Sequence, residues 1–139
     1  MNKSGPIVIV EDDNDDQLIL EDVFKHLECK NEILFFPDGE RALEYLTRSN
    51  IEPFLILSDI NLPKIPGFDL RKKIKNDDKL HLKCVPYIFI TTAASHKGII
   101  EAYSDSVQGF FVKPSSLTQL ENTIRKIIDY WKGCIFSEC

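Results

Sequence analysis

The sequence lacks the features that mark thiol metal sites, secreted proteins and membrane spans. Its four cysteines show no CxxC spacing, so we interpret them as free thiols of a reducing cytoplasm and expect no metal site built from them. The apolar run Ile7–Val10 is too short for a signal peptide or a membrane span. No internal repeat or low-complexity segment is visible. These absences favour a cytoplasmic globular protein.

The sequence also lacks an excess of positive charge. Its net charge is -5 and its isoelectric point is about 5.2, so binding to nucleic acid is not expected. A length of 139 residues suits one compact domain, for which we predict a core over about residues 6–132 and a short tail over 133–139.

A continuous apolar run near the middle of the chain ends abruptly. Residues 54–57 are continuously apolar, as in a strand buried on both faces of a parallel sheet. The run ends at Asp59, and Pro63 cannot continue a central strand. Ligands of open α/β sheets bind at the carboxyl ends of the strands. Asp59 is therefore our candidate nucleophile for accepting a phosphoryl group.

Short apolar runs alternate with amphipathic segments along the whole chain. The expected strands are Ile7–Val10, Ile33–Phe36, 54–57, 87–90 and Gly109–Val112. The expected helices begin at Asn14 or Asp15, at Asp38, after Pro66-Gly67, near residue 97 and at Ser116. This alternation predicts an α/β fold, a flavodoxin-like, doubly wound (βα)5 sandwich of three layers. Its parallel sheet of five strands should have the order 2-1-3-4-5.

Two of the expected helices have recognisable apolar positions. Those of the first helix are Leu18, Ile19, Val23, Phe24 and Leu27. The last helix has a stripe at helical spacing, formed by Leu117, Leu120, Ile124, Ile127, Ile128 and Trp131. Ser116 and Gln119 fit a capping box at its start, and Gly133 is a plausible stop. We expect both stripes to face the core.

The predicted strand order brings polar side chains from four strand ends to one edge. They are Glu11, Asp12, Asp59, Thr91 and Lys113. Taken singly, each has an ordinary explanation as a helix start, a turn residue, a strand former or a surface charge. Their joint placement at one edge is much less ordinary, and it indicates a functional site.

The residue types at this edge suit phosphoryl transfer. Crowded carboxylates repel one another, and hard oxygen ligands favour Mg²⁺ over Zn²⁺. We expect Asp12 and Asp59 to bind Mg²⁺ directly, Glu11 to act through water, and the backbone carbonyl of Asn61 to supply a further oxygen. The Lys113 ammonium and the Thr91 hydroxyl would stabilise the phosphoryl oxygens.

The chain resembles the receiver domains of two-component response regulators over about residues 7–132. The matching motifs are Glu11-Asp12 after the first strand, residues 58–63, Gly67, Ile90-Thr91-Thr92 and Val112-Lys113-Pro114. The resemblance implies a bacterial signalling domain that catalyses only its own phosphorylation and dephosphorylation. A sensor histidine kinase or phosphotransfer protein would phosphorylate Asp59 with Mg²⁺ bound. It further implies a cis peptide bond between Lys113 and Pro114.

The resemblance also implies a switch made of Thr91 and Phe110. The output surface would comprise the predicted helix 97–103, the fifth strand and the last helix, and it would bind a downstream partner or a second copy of the chain. Stand-alone regulators paired with bacterial phytochrome kinases are the most similar subgroup. Two residues depart from the family pattern: Phe110 has no hydroxyl, and Ala93 stands where a polar residue often occurs.

Three alternatives share parts of this pattern. A flavin redox module would need free amides after the first strand to bind the FMN phosphate, whereas the acidic run 11–16 would repel a phosphate in the absence of a metal. An aspartate phosphatase would need a second acid where Asn61 stands. A degenerate receiver should lack Asp59 or Lys113. The output remains open between partner docking and a phosphate relay; we interpret the histidines, His26, His81 and His96, as surface residues.

Overall fold

The computed structural model of the protein describes residues 2–77, 85–91, 100 and 107–134. Its strands are β1 (Ile7–Val10), β2 (Ile33–Phe36), β3 (Leu55–Ser58), β4 (Tyr87–Thr91) and β5 (Gly109–Val112). The helices within these residues are α1 (Asn14–His26), α2 (Gly39–Arg48), α3 (Gly67–Asn76) and α4 (Leu117–Gly133). The predicted helix at 97–103 lies outside the described residues.

The five strands form one parallel sheet with the order β2-β1-β3-β4-β5. The predicted doubly wound α/β fold is therefore confirmed. The chain reverses its direction of winding between β1 and β3, which are neighbours in the sheet. Val10 pairs with Ser58, so the segments that follow these two strands leave the sheet side by side. This pairing brings Glu11 and Asp59 to the same edge.

Side-chain caps define the starts of three helices. Asp38 accepts from the backbone N–H of Arg41 at 2.8 Å, and Ser116 accepts from that of Gln119 at 3.2 Å, as their positions predict. The cap of α1 is Asp13, so the prediction of Asn14 or Asp15 is wrong. Asp13 has extended backbone geometry, and its carboxylate reaches the N–H groups of the first turn, which the later residues cannot do once they are helical.

The sheet has a hydrophobic layer on each face. Residues alternate along each strand, so Val8 and Ile56 face one layer with α2 and α3, while Ile7 and Leu57 face the other with α1 and α4. β1, β3 and β4 are buried along their whole length, which explains their continuous apolar runs, whereas the edge strands β2 and β5 are only partly buried. In the described part of the chain, no helix is long and apolar enough to cross a membrane.

Two of the predicted core positions of α1 face solvent. Leu18 is 60% exposed and Ile19 is 40% exposed, whereas Leu20, Val23 and Phe24 are buried. The apolar residues of this helix cover more of its circumference than the contact with the sheet and α4 requires. Leu117 of α4 is likewise 52% exposed, although Leu120, Ile124 and Ile127 of its stripe are buried. Of these exposed residues, Ile19 and Leu117 border the site described next.

Candidate active site

Asp59 lies one residue beyond β3, and both of its carboxylate oxygens have a donor. Oδ1 accepts from the backbone N–H of Asn61 at 3.1 Å, and Oδ2 accepts from Nζ of Lys113 at 3.3 Å. The side chain is 11% exposed, so it is largely buried but still reaches solvent. The backbone N–H of Asp59 donates to the carbonyl of Val10, which fixes the residue against β1. The carboxylate is thus held in place yet still reachable.

Lys113 links three carboxylates across the edge of the sheet. Its Nζ is 3.1 Å from Oδ2 of Asp16, lies close to Oδ2 of Asp59, and donates a short hydrogen bond to Oε1 of Glu11. Its side chain is 11% exposed. The backbone N–H of Lys113 donates to the carbonyl of Thr91 at 2.7 Å, so β4 positions the lysine as β5 ends.

Asp16 is a member of this cluster that the sequence reasoning missed. With Asp13 as the cap, Asp16 is the third residue of α1, in the first turn, beside the carboxyl end of β1. The carboxylate of Asp13 accepts from the N–H of Asp16 at 3.2 Å, and Gln17 donates to the carbonyl of Glu11 at 2.5 Å. These two bonds fix the first turn of α1 against the segment after β1. Assigning Asp13 as the cap from the sequence would have placed Asp16 in the first turn of α1, beside the carboxyl end of β1.

Burial and like charge govern protonation in the cluster. The pKa of Glu11 is raised to about 8, because the effect of burial exceeds the lowering by the hydrogen bond and positive charge of Lys113. Burial acts to lower the pKa of Lys113, but the bonds of the lysine to Glu11 and Asp16 outweigh this effect, and the pKa is raised overall. Burial acts to raise the pKa of Asp16, yet its bonds to Lys113 and Glu11 lower it overall. One ammonium therefore faces more acid groups than it can neutralise.

Thr91 and Phe110 lie on neighbouring strands below this edge. Thr91 is fully buried, and its hydroxyl has no hydrogen-bond partner among the described residues. Phe110 is half-buried and packs against the layer that contains α2 and α3. A buried hydroxyl without a partner costs free energy unless a ligand or a rearrangement supplies one. Both residues are thus placed where the predicted switch requires them, while their switching role stays a prediction.

The prediction of a cis peptide bond between Lys113 and Pro114 is wrong for this structure. The described residues contain no cis peptide bond. The trans isomer is intrinsically favoured even before proline, so the Lys113-Pro114 motif alone does not determine the isomer.

The predicted metal ligands are only partly brought together. Glu11 and Asp59 lie in the cluster, whereas Asp12 is exposed and is not among the carboxylates that Lys113 contacts. Within the described ranges, no three His, Cys, Asp or Glu side chains form a metal-binding group. The Lys113 ammonium occupies the position among these acids to which a metal cation would be attracted.

The chemistry of the donors nevertheless fits a hard divalent cation. Oε2 of Glu11 is buried with no hydrogen-bond partner in the described part of the chain, so it is an oxygen available to a ligand. Carboxylate oxygens from Glu11 and Asp59, with Asp12 at the rim, are the type that Mg²⁺ or Mn²⁺ prefers. The excess of negative charge around Lys113 would favour the same ion.

The fold and the site define a class of small α/β domains with a doubly wound parallel sheet, in which a lysine contacts an aspartate at the carboxyl edge. The sequence model of the response regulator receiver domain matches residues 7–125. The chain therefore belongs to the response regulator receiver domain family, and its function is in two-component signalling.

Individual relatives agree with this assignment. The chain is 32% identical to the chemotaxis protein CheY-3 of Vibrio cholerae, over 93% of this chain and 95% of that protein. The crystal structure of the phosphorylated cyanobacterial phytochrome response regulator RcpA superposes with a TM-score of 0.85 at 27% identity, covering 95% of this chain and 97% of that one. The Mn²⁺-bound response regulator Rcp1, a protein of Synechocystis, gives 0.83 at 27% identity, covering 96% and 99%. The similarity to phytochrome-associated regulators, expected from the sequence, is confirmed.

Proposed function

We propose that Asp59 is the phosphoryl acceptor of this receiver domain, with Mg²⁺ as its cofactor. The observation that carries the proposal is the contact between the Lys113 ammonium and Oδ2 of Asp59 inside a ring of acidic side chains. Asp59 is the only carboxylate of the cluster whose second oxygen is also held by a backbone N–H, that of Asn61. This arrangement orients a nucleophile beside Oε2 of Glu11, a buried oxygen that has no partner among the described residues.

For the phosphoryl transfer itself, the protein mainly positions the reacting groups and stabilises the negative charge on the phosphoryl oxygens. A carboxylate oxygen of Asp59 attacks the phosphorus of a phosphohistidine, and the bond between phosphorus and the imidazole nitrogen breaks. The electron pair of that bond stays on the imidazole, which takes up a proton from solvent. Lys113 stabilises the negative charge on a phosphoryl oxygen, and the Thr91 hydroxyl can donate to another.

Mg²⁺ would be held by Glu11, Asp12 and Asp59 and by the backbone carbonyl of Asn61. When bound, it supplies positive charge that offsets the repulsion between the carboxylates and the phosphoryl oxygens. Glu11 must then be ionised and exchange its bond to Lys113 for the metal, which leaves the ammonium available to the phosphoryl group.

An apolar groove beside the cluster supports a protein as the phosphoryl donor. The groove, of about 580 Å³, is bordered by the start of α1 and the segment from Lys113 to α4. Ile19 and Leu117 line it and are 40% and 52% exposed, and Lys113 forms part of its wall. Exposed aliphatic side chains at the entrance to a charged site suit an amphipathic helix that presents a phosphohistidine. We therefore assign this groove to the sensor histidine kinase or phosphotransfer protein.

The output would use a different surface. We propose that β5, α4 and the segment between β4 and β5 bind a downstream partner, or a second copy of the chain, after phosphorylation. Val112 of β5 and Tyr130 of α4 are 51% and 66% exposed. No activity on other substrates is proposed.

The acceptor is tested by mass spectrometry after incubation with acetyl phosphate and Mg²⁺. The wild-type chain should gain one phosphoryl group, whereas Asp59→Asn or treatment with EDTA should abolish the gain. The matched control is Asp69→Asn, which removes an exposed carboxylate from the first turn of α3. Normal phosphorylation of Asp59→Asn would show that another residue is the acceptor.

The docking groove is tested with a purified, autophosphorylated histidine kinase that phosphorylates the wild-type chain. Ile19→Ser with Leu117→Ser should slow transfer from the kinase but leave the uptake of phosphate from acetyl phosphate unchanged. An equal loss with both donors would mean that the two substitutions disturb the site itself.

A further inference from the structure

The ring of Phe89 lies at the centre of an aromatic cluster beneath the active site. Its side chain is fully buried on β4, where it pairs in register with Phe110 of β5. The ring centroid of Phe89 is 6.0 Å from that of Phe110, 5.2 Å from that of Phe68 and 5.3 Å from that of Tyr87. The contacts with Phe68 and Tyr87 are edge-to-face, with interplanar angles of 70° and 67°. Phe89 thus links the start of α3 to the proposed switch residue on β5.

The same ring packs close to the backbone that carries Asp59. A methyl group placed on Gly67 would lie 3.0 Å from Cε1 of Phe89 and would collide with the carbonyl oxygen of Asp59. The N–H of Gly67 donates to the carbonyl of Ile60 at 2.9 Å, which closes the loop after β3 against the start of α3. Gly67 therefore lies between the Phe89 ring and the Asp59 backbone with no space to spare.

We propose that Phe89 is a positioning residue that couples the orientation of Phe110 to the backbone of Asp59 and Gly67. The contacts run from Phe110 to Phe89 and from Phe89 to Gly67, which touches the carbonyl of Asp59. In a core packed at this density, one ring cannot shift without displacing the next. This route runs through apolar contacts alone and does not use the Thr91 hydroxyl. Its role in signalling rests on the proposed function, whereas the coupling itself exists without phosphate.

The coupling is measured first in the unphosphorylated protein, with the amide resonance of Gly67 as the reporter. Phe110→Leu should shift this resonance in the wild-type background. In the Phe89→Leu background the same substitution should shift it by about half as much or less, as expected for residues that interact directly. Ile88→Val is the matched control, because Ile88 is buried on the same strand but faces the opposite layer. That control should leave the effect of Phe110→Leu at full size.

The second measurement uses beryllofluoride with Mg²⁺ as the phosphate mimic. In Phe89→Leu the mimic should still bind, but the change in the Phe110 ring resonances should fall at least about twofold, while Ile88→Val keeps the wild-type response. If the mimic does not bind the wild-type chain, the proposed function fails and the first measurement still decides the coupling.

Two results would overturn the proposal. One is a Gly67 shift that responds equally to Phe110→Leu in both backgrounds. The other is a full Phe110 response to the mimic in Phe89→Leu. If Phe89→Leu does not fold, Phe89→Met keeps most of the volume without the ring, and the same two outcomes apply to it.

Discussion

The two ends of the sheet use polar groups in opposite ways. At the amino end, the buried Asn31 donates to the carbonyls of Gly5 at 2.6 Å and Lys3 at 2.9 Å, and Nζ of Lys3 donates to the carbonyl of Lys132 at 2.7 Å. At the carboxyl end, Glu11 and Thr91 each keep a buried oxygen without a partner among the described residues. At the amino end, these polar groups have hydrogen-bond partners. At the carboxyl end, buried oxygens remain that a ligand can use.

This difference separates stability from function. Partnered groups at the amino end hold the start of the chain against the end of α4 and contribute to folding. The crowded acids at the carboxyl end destabilise the free protein, as expected of a site built for a cation and a phosphoryl group. Substitutions at the two ends should therefore have opposite consequences, and five predictions test this.

The largest effect is expected for Lys113→Ala. Uptake of phosphate from acetyl phosphate should slow at least about a hundredfold, because a charge that stabilises the transition state is lost. Binding of Mg²⁺ should persist or tighten, since the competing ammonium is gone. Mg²⁺ titration and phosphorylation kinetics measure both effects, with the exposed Lys126→Ala as the control. Lost Mg²⁺ binding with normal phosphorylation would contradict the role given to Lys113.

A pH dependence should follow from Glu11. Its pKa in the folded protein is about 8, above its ordinary value of 4.5, so a proton must leave before the metal binds. The affinity for Mg²⁺ should rise about tenfold per pH unit below pH 8 and level off above it. Glu11→Gln should flatten this dependence. A wild-type affinity that is constant between pH 6 and pH 8 would exclude Glu11 as a ligand that titrates in this range.

The same shift predicts the direction of a stability change. The folded state binds the proton of Glu11 more tightly than the unfolded state does, so this contribution to stability is complete below about pH 4.5 and is lost as the pH rises to about 8. Without Mg²⁺, urea unfolding of the wild-type chain should show this loss relative to Glu11→Gln. Added Mg²⁺ should restore stability to the wild-type chain at pH 8.

At the amino end, Asn31→Ala should lower the free energy of unfolding by about 2 kcal/mol, because it leaves the buried carbonyl of Gly5 without its donor, although the carbonyl of Lys3 keeps a hydrogen bond from Nζ of Lys132. Phosphorylation of the folded fraction should be unchanged. Urea unfolding and acetyl phosphate kinetics test this, and Asn50→Ala, at an exposed position, is the control. A slower phosphorylation at full folding would show that the two ends are not independent.

The smallest effect is expected for Thr91→Val. Removal of a buried hydroxyl without a described partner should leave stability unchanged or raise it by about 1 kcal/mol. The variant should still be phosphorylated, but the response of Phe110 to beryllofluoride should weaken, with the part that is carried through Phe89 remaining. NMR spectra measure that response, with the exposed Thr118→Val as the control. A full response would show that the Thr91 hydroxyl is not needed for the switch.

The sequence by itself determined the sheet and its order. Four-residue apolar runs that end in polar residues favour short strands of a covered parallel sheet, and their alternation with helices leaves few topologies. The same logic brought Glu11, Asp59, Thr91 and Lys113 to one edge. These predictions succeeded because residue type and spacing directly determine which segments are buried and how the chain connects them.

Only the tertiary structure decided which side chains meet within that edge. With Asp13 as its cap, α1 places Asp16 in the acidic cluster and leaves Leu18 exposed. The peptide bond before Pro114 is trans. The contact of Phe89 with Gly67 was equally invisible in the sequence. Such features depend on differences of an ångström in packing and on competition among several acids for one lysine, which neither periodicity nor motif spacing encodes.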